Sequence, residues 1–94
     1  MPRYVIERSY TVEEAGLPTV ATRSKRIARD HYPEIVWEHS HVVIDGDGQP
    51  KSFCIYGAPN EEIVREHADR LGDHSVVAVY EIAGDVTPDD FPLD

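Results

Sequence analysis

Two pairs of side chains that could bind a metal ion or take part in catalysis lie on either side of one predicted turn. His39 and His41 are two positions apart, and Cys54 and Tyr56 repeat that spacing further along the chain. Residues two apart on a strand point to the same face and lie about 6.6 Å from each other, with neighbouring strands about 4.8 Å away. Imidazoles so placed can approach a thiolate or carboxylate across a sheet. This ligand set suits zinc, copper, nickel or iron.

Each of these residues also has a purely structural interpretation. Histidines on a strand are commonly hydrogen-bonded or exposed to solvent. Cys54 resembles a small buried hydrophobe, and Tyr56 a core residue with a hydrogen-bonded hydroxyl. His67 lies on the apolar stripe of a predicted helix, where packing is the default role and metal binding the alternative. The spacing alone leaves both interpretations open.

Composition limits the classes of protein to which the chain can belong. Its 94 residues suffice for one compact domain, and the formal charge of −9 disfavours nucleic acid and anionic membranes as partners. The single cysteine excludes an internal disulfide. Because no apolar run is long enough to cross a bilayer and no signal-peptide pattern is present, we expect a cytoplasmic protein.

Turn and cap residues divide the chain into six elements. Asp45–Gly48 supplies a hairpin turn, Asn60 is a helix cap, and Gly72 ends that helix. Pro33 closes the earlier helix. The predicted elements are strands at Tyr4–Arg8, Ile35–Ile44, Ser52–Tyr56 and Val76–Ile82, and helices at 19–31 and 60–71.

The order β-α-β-β-α-β predicts an α+β fold of the ferredoxin-like class. Such a sandwich has a four-stranded antiparallel sheet with two helices on one face, and its usual spatial strand order is four, one, three, two. We assign residues 1–83 to this domain. Residues 84–94, which hold two prolines and four aspartates, form an acidic tail expected to lie over another surface.

Strand alternation assigns the candidate residues to one face of the sheet. Ile6, Phe53 and Ile55 are the predicted helix-facing set. The uncovered face then collects Trp37 and the candidate metal ligands, which are Glu7, His39, His41, Cys54 and Tyr56. Because aromatic side chains on an uncovered face tend to become buried against a partner, we expect a homodimer that forms a two-sheet α/β barrel.

Four stretches of the chain resemble one protein family. They are Tyr4-Val-Ile-Glu-Arg8, Trp37-x-His39-Ser40-x-Val42, Phe53-Cys54-Ile55-Tyr56-x-Ala58-Pro59, and Arg65-Glu-His67-Ala68 with Gly72. In combination they resemble the small bacterial nickel-binding ferredoxin-like proteins over roughly residues 3–82. The resemblance implies a ferredoxin-like subunit, dimerisation and nickel binding. His41 and Gly57 depart from the family pattern, where tyrosine and an acidic residue are commoner.

The leading functional hypothesis is a non-enzymatic protein that binds nickel or another divalent transition ion for buffering, delivery or response. No catalytic residue is assigned under it. One alternative is a dimeric α/β-barrel enzyme that uses His39, Tyr56 and Glu7 as acid or base on a small apolar substrate. Another is a regulatory interaction module that contacts its neighbour through the acidic tail.

Overall fold

A computed structural model describes residues 1–93 of the chain. Its elements are β1 (Arg3–Tyr10), α1 (Leu17–His31), β2 (Val36–Ile44), β3 (Pro50–Gly57), α2 (Glu61–Leu71) and β4 (His74–Glu81). Two short 3-10 helices lie at Glu14–Gly16 and Pro88–Asp90. The order β-α-β-β-α-β confirms the predicted ferredoxin-like α+β fold.

All four strands form one antiparallel sheet in the spatial order β2-β3-β1-β4. This order is the predicted one, and it places β2 and β4 at the two edges. β1 is longer than predicted because Ser9 and Tyr10 still pair with Ser75 and His74 of β4. The sheet therefore extends further at this end than the apolar pattern alone indicates.

Local signals fix the ends of the two helices. The Asn60 side chain accepts a hydrogen bond from the Ile63 backbone N–H at 3.0 Å, which satisfies one of the free donors of the first turn of α2. Gly72 ends α2 with φ 69°, a conformation that glycine adopts without steric cost. α1 begins at Leu17, two residues before the predicted start, because Pro18 is accommodated in a first helical turn.

The hydrophobic core lies between the helices and one face of the sheet. Alternate residues of β1 are buried, and Ile6 is fully so. Val64 and Ala68 of α2 pack into the same cluster. The opposite face of the sheet, called here the open face, is not covered by α1 or α2. None of the helices within residues 1–93 is long and apolar enough to cross a membrane.

Candidate functional site

Cys54 and Tyr56 lie beneath the helices and not on the open face. Cys54 pairs with Ile6 across β1 and β3, and Tyr56 pairs with Tyr4. Directly paired residues project to the same side of a sheet, and Ile6 faces the helices. Cys54 is 3% and Tyr56 2% exposed. The prediction that these two side chains share a face with the imidazoles is wrong.

The error lies in the phase of β3. Phe53 and Ile55 were predicted to face the helices, but they are only partly buried and pair with Glu7 and Val5 of the open face. Both alternating sets of β3 are apolar enough to cover a core, so its sequence has little period-two contrast. A shift of one residue exchanges every side chain between the two faces.

A bulge in β2 separates Trp37 from the two histidines. The register shifts between Trp37 and His39, and Glu38 has no partner on β3. Trp37 therefore pairs with Tyr56 on the helix side, where its indole N–H donates to the Ser40 hydroxyl at 2.9 Å. The expectation that Trp37 lies on the open face is therefore wrong, because the bulge reverses the alternation of side chains before His39.

The open face does bring His39 and His41 together. They pair with Ile55 and Phe53 of β3, respectively, and their ring centroids are 5.2 Å apart in an edge-to-face arrangement. Both imidazoles are exposed. The edge strand β2 thus exposes two imidazoles to solvent, and both lie on the same face of the sheet, two residues apart.

Glu7 shares the open face but stands apart from the imidazoles. It pairs with Phe53, which also pairs with His41, so β3 lies between the carboxylate and that histidine. Strands two apart are about 9.6 Å from each other. Glu7 is instead 3.6 Å from the Lys51 ammonium. Within residues 1–93 no three His, Cys, Asp or Glu side chains form a group arranged to hold a metal ion.

A second polar cluster lies on the helix side of the sheet. The Tyr10 hydroxyl is 2.7 Å from the Ser52 hydroxyl, which is 3.3 Å from the Cys54 sulfur. The Arg8 guanidinium lies 5.3 Å from the centroid of the Tyr56 ring. Alternation in β1 groups Arg8 with Tyr4 and Ile6, so the sequence contained the signal for its burial, although no role was predicted for it.

His67 joins this cluster from α2. Its Nε2 is 3.0 Å from the Ser24 carbonyl oxygen, which can only accept, so Nε2 carries the proton in the neutral ring. Its Nδ1 is buried without a hydrogen-bond partner among the described residues. Burial lowers the pKa of His67, and burial likewise raises the pKa of Tyr56. Both side chains are therefore held in their neutral forms at neutral pH.

Two adjoining cavities open beside this cluster. The outer cleft, of about 360 Å³, is lined by residues of α1, the following loop and β2, and by Tyr56 and His67. The inner chamber, of about 80 Å³, reaches Arg8 and the Tyr10, Ser52 and Cys54 group. Ser24, Trp37 and Tyr56 line both. The catalytic alternative required His39, Tyr56 and Glu7 in one pocket, and only Tyr56 lies here.

Comparison with known families agrees with the sequence resemblance. The family described as nickel responsive protein SCO4226-like matches residues 4–82. The chain belongs to this family. All five predicted ligand positions of the SCO4226-like chain fall within the match, and the acidic tail falls outside it. A comparison with curated proteins gives no match.

Solved structures share the fold of this SCO4226-like protein at low sequence identity. The de novo designed protein Foldit4 matches with a TM-score of 0.59 and 11% identity, covering 90% of this chain and 100% of its own. The C-terminal domain of MgtC from Mycobacterium tuberculosis matches with a TM-score of 0.60 and 13% identity, covering 89% and 88%. These likenesses support the ferredoxin-like fold and carry no functional argument.

Proposed function

We propose that this protein binds Ni²⁺, or a similar divalent transition ion, through His39 and His41 on the open face of a homodimer. The observation that carries the proposal is the contact of two exposed imidazoles on one side of β2. Neutral imidazole is a good ligand for nickel, which stands high in the affinity order of divalent ions. Membership of a family named for its response to nickel supports this choice of ion.

The donor set fits a site that is completed by a second copy of the chain. Two imidazoles leave at least two positions of a four-coordinate ion to other ligands, and no third protein donor of the described residues joins them. A two-fold axis through the open face brings a second imidazole pair from the partner. Glu7 remains a candidate to enter the site if the Lys51 contact is exchanged on assembly.

The open face also has the apolar character expected of a dimer interface. Phe53 and Ile55 lie on it, and Val43 and Tyr80 are exposed on its two edge strands. Covering these side chains removes apolar surface from water. The same packing excludes solvent from the imidazoles. The biological role that follows is non-enzymatic buffering, delivery or sensing of the ion.

Calorimetry with NiCl₂ on protein without an affinity tag tests the metal site. We expect wild type to bind stoichiometrically and the His39→Ala/His41→Ala variant to lose affinity by about tenfold or more, because both proposed coordinating side chains have been removed. His31→Ala, which removes another exposed imidazole, is the matched control and should bind as wild type does. Equal affinity in wild type and the double variant would remove these histidines from the site.

The dimer is tested separately by sedimentation with and without NiCl₂. Tyr80→Glu places a charge on the open face at the edge opposite β2 and should give a monomer with weakened nickel binding. Thr22→Glu adds the same charge to the outer surface of α1 and should leave both properties unchanged. Tight nickel binding by a wild-type monomer would contradict the shared site while leaving the histidine assignment intact.

A further inference from the structure

Arg8 is a buried cation without an anionic partner. It is 2% exposed and makes no ion pair among residues 1–93, and the Tyr10 and Tyr56 hydroxyls near it are neutral. Its Nε and Nη2 are both buried and unpartnered. A guanidinium cannot shed its proton in a protein, so burial leaves an uncompensated charge. An anion that enters from solvent would pair with this charge.

The two cavities on the helix side of the sheet are lined with positive and neutral groups. Arg8 lines the inner chamber, and Lys25 and Arg29 line the outer cleft next to it. No aspartate or glutamate lines either cavity, although the chain carries a formal charge of −9. Arg29 pairs with Asp30, whereas Lys25 has no ion pair among the described residues. The charged side chains that line these cavities therefore favour an anion, although the chain as a whole is acidic.

The shape and walls of the two cavities select the kind of anion. The inner chamber, at about 80 Å³, has room for a carboxylate, because about 10–15 Å³ of such space already holds one water. Its walls are mainly apolar, with Leu17, Val20 and Val42 beside the hydroxyl groups. The fork of a guanidinium matches the two oxygens of a planar carboxylate.

We propose that the inner chamber and outer cleft bind a small organic carboxylate, with its charged group on Arg8 and its apolar body against Trp37 and Ile35 in the outer cleft. The hydroxyls of Ser52, Tyr10 and Ser24 line the chamber and supply further hydrogen-bond donors to the carboxylate. This site is on the opposite side of the sheet from His39 and His41. It is therefore independent of the proposed nickel site.

Titration with sodium benzoate in a low-chloride buffer tests the site, with benzamide and inorganic phosphate as comparison probes. Calorimetry measures affinity, and the ¹⁵N resonance of the Arg8 Nε–H reports the contact directly. We expect saturable benzoate binding that shifts this resonance. Benzamide should bind about tenfold or more weakly, because it lacks the charge that pairs with the guanidinium. Phosphate tighter than benzoate, or equal binding of benzoate and benzamide, would overturn the proposal.

Two variants give independent checks on the position of the ligand. Arg8→Met removes the charge and should abolish benzoate binding. Ala28→Trp fills the outer cleft from α1 and should also abolish binding while Arg8 remains. Thr22→Trp adds the same ring to the exposed side of α1 as the matched control and should bind as wild type does. If Arg8→Met does not fold, Ala28→Trp decides: benzoate affinity equal to that of Thr22→Trp would refute the site.

Discussion

The chemical reactivity of Cys54 measures which side of β3 faces the helices. Cys54 is 3% exposed and belongs to the core cluster, so a bulky disulfide reagent without a carboxylate, such as 4,4′-dithiodipyridine, reaches its sulfur only when the domain opens. Opening a small domain costs about 5 kcal/mol or more, and each 1.4 kcal/mol is about a factor of ten in population. The thiol of the folded protein should therefore react at least about 3.5 orders of magnitude more slowly than that of the unfolded chain.

The assay follows release of the coloured thiopyridone from 4,4′-dithiodipyridine at increasing urea concentrations and at two protein concentrations. The control is Thr22→Cys in a Cys54→Ser background, which places one thiol on the exposed side of α1 and should react at once. Fast reaction of native Cys54, at the rate of this control, would refute the burial of the residue. Protection that disappears on dilution would place Cys54 in an interface between copies and not beneath the helices.

The remaining predictions concern the helix side of the sheet. Burial lowers the pKa of His67 and of His74 below the ordinary 6.5, so the unfolded chain takes up protons that the folded protein does not as the pH falls below that value. Stability should be fully present above pH 6.5 and should decline below it by up to about 1.4 kcal/mol per pH unit for each histidine. Urea unfolding from pH 7.5 to 5 checks this, and a slope in His67→Gln as steep as in the control His31→Gln would contradict it. Val64→Ala should lower the free energy of unfolding by about 2 kcal/mol, because Val64 is fully buried and the change leaves a cavity. Val77→Ala is its control, since Val77 is 53% exposed, and equal losses in the two variants, measured by urea unfolding, would count against the packing described.

The order of elements could be predicted because it depends on local signals. Asn60 and Gly72 mark the ends of α2, and the turn at Asp45 is stabilised by its own side chain, which accepts from the backbone N–H groups of Asp47 and Gln49 at 2.8 and 2.9 Å. Such signals act within a few residues, so they are visible in the sequence. Strand order followed from the chain topology that this order of elements favours.

The composition of each sheet face could be predicted only in part. Spacing correctly placed His39 and His41 together, since no irregularity interrupts β2 between them. It failed for Cys54 because β3 is apolar on both faces, and the phase of such a strand depends on how it packs against α1 and α2. That packing depends on the whole core, so no short stretch of the sequence determines it. Metal binding by the predicted ligands remains a prediction.

The bulge at Glu38 makes the side-chain orientation of β2 depend on the length of the chain at that position. Because the backbone reverses its phase at that single position, losing or gaining one amino acid there turns Trp37 to the other side of the sheet without moving the histidines. An indel of one codon would thus exchange an aromatic ring between the cleft and the imidazole surface. Within the family, changes of length at this point would alter both surfaces at once, whereas ordinary substitutions alter one.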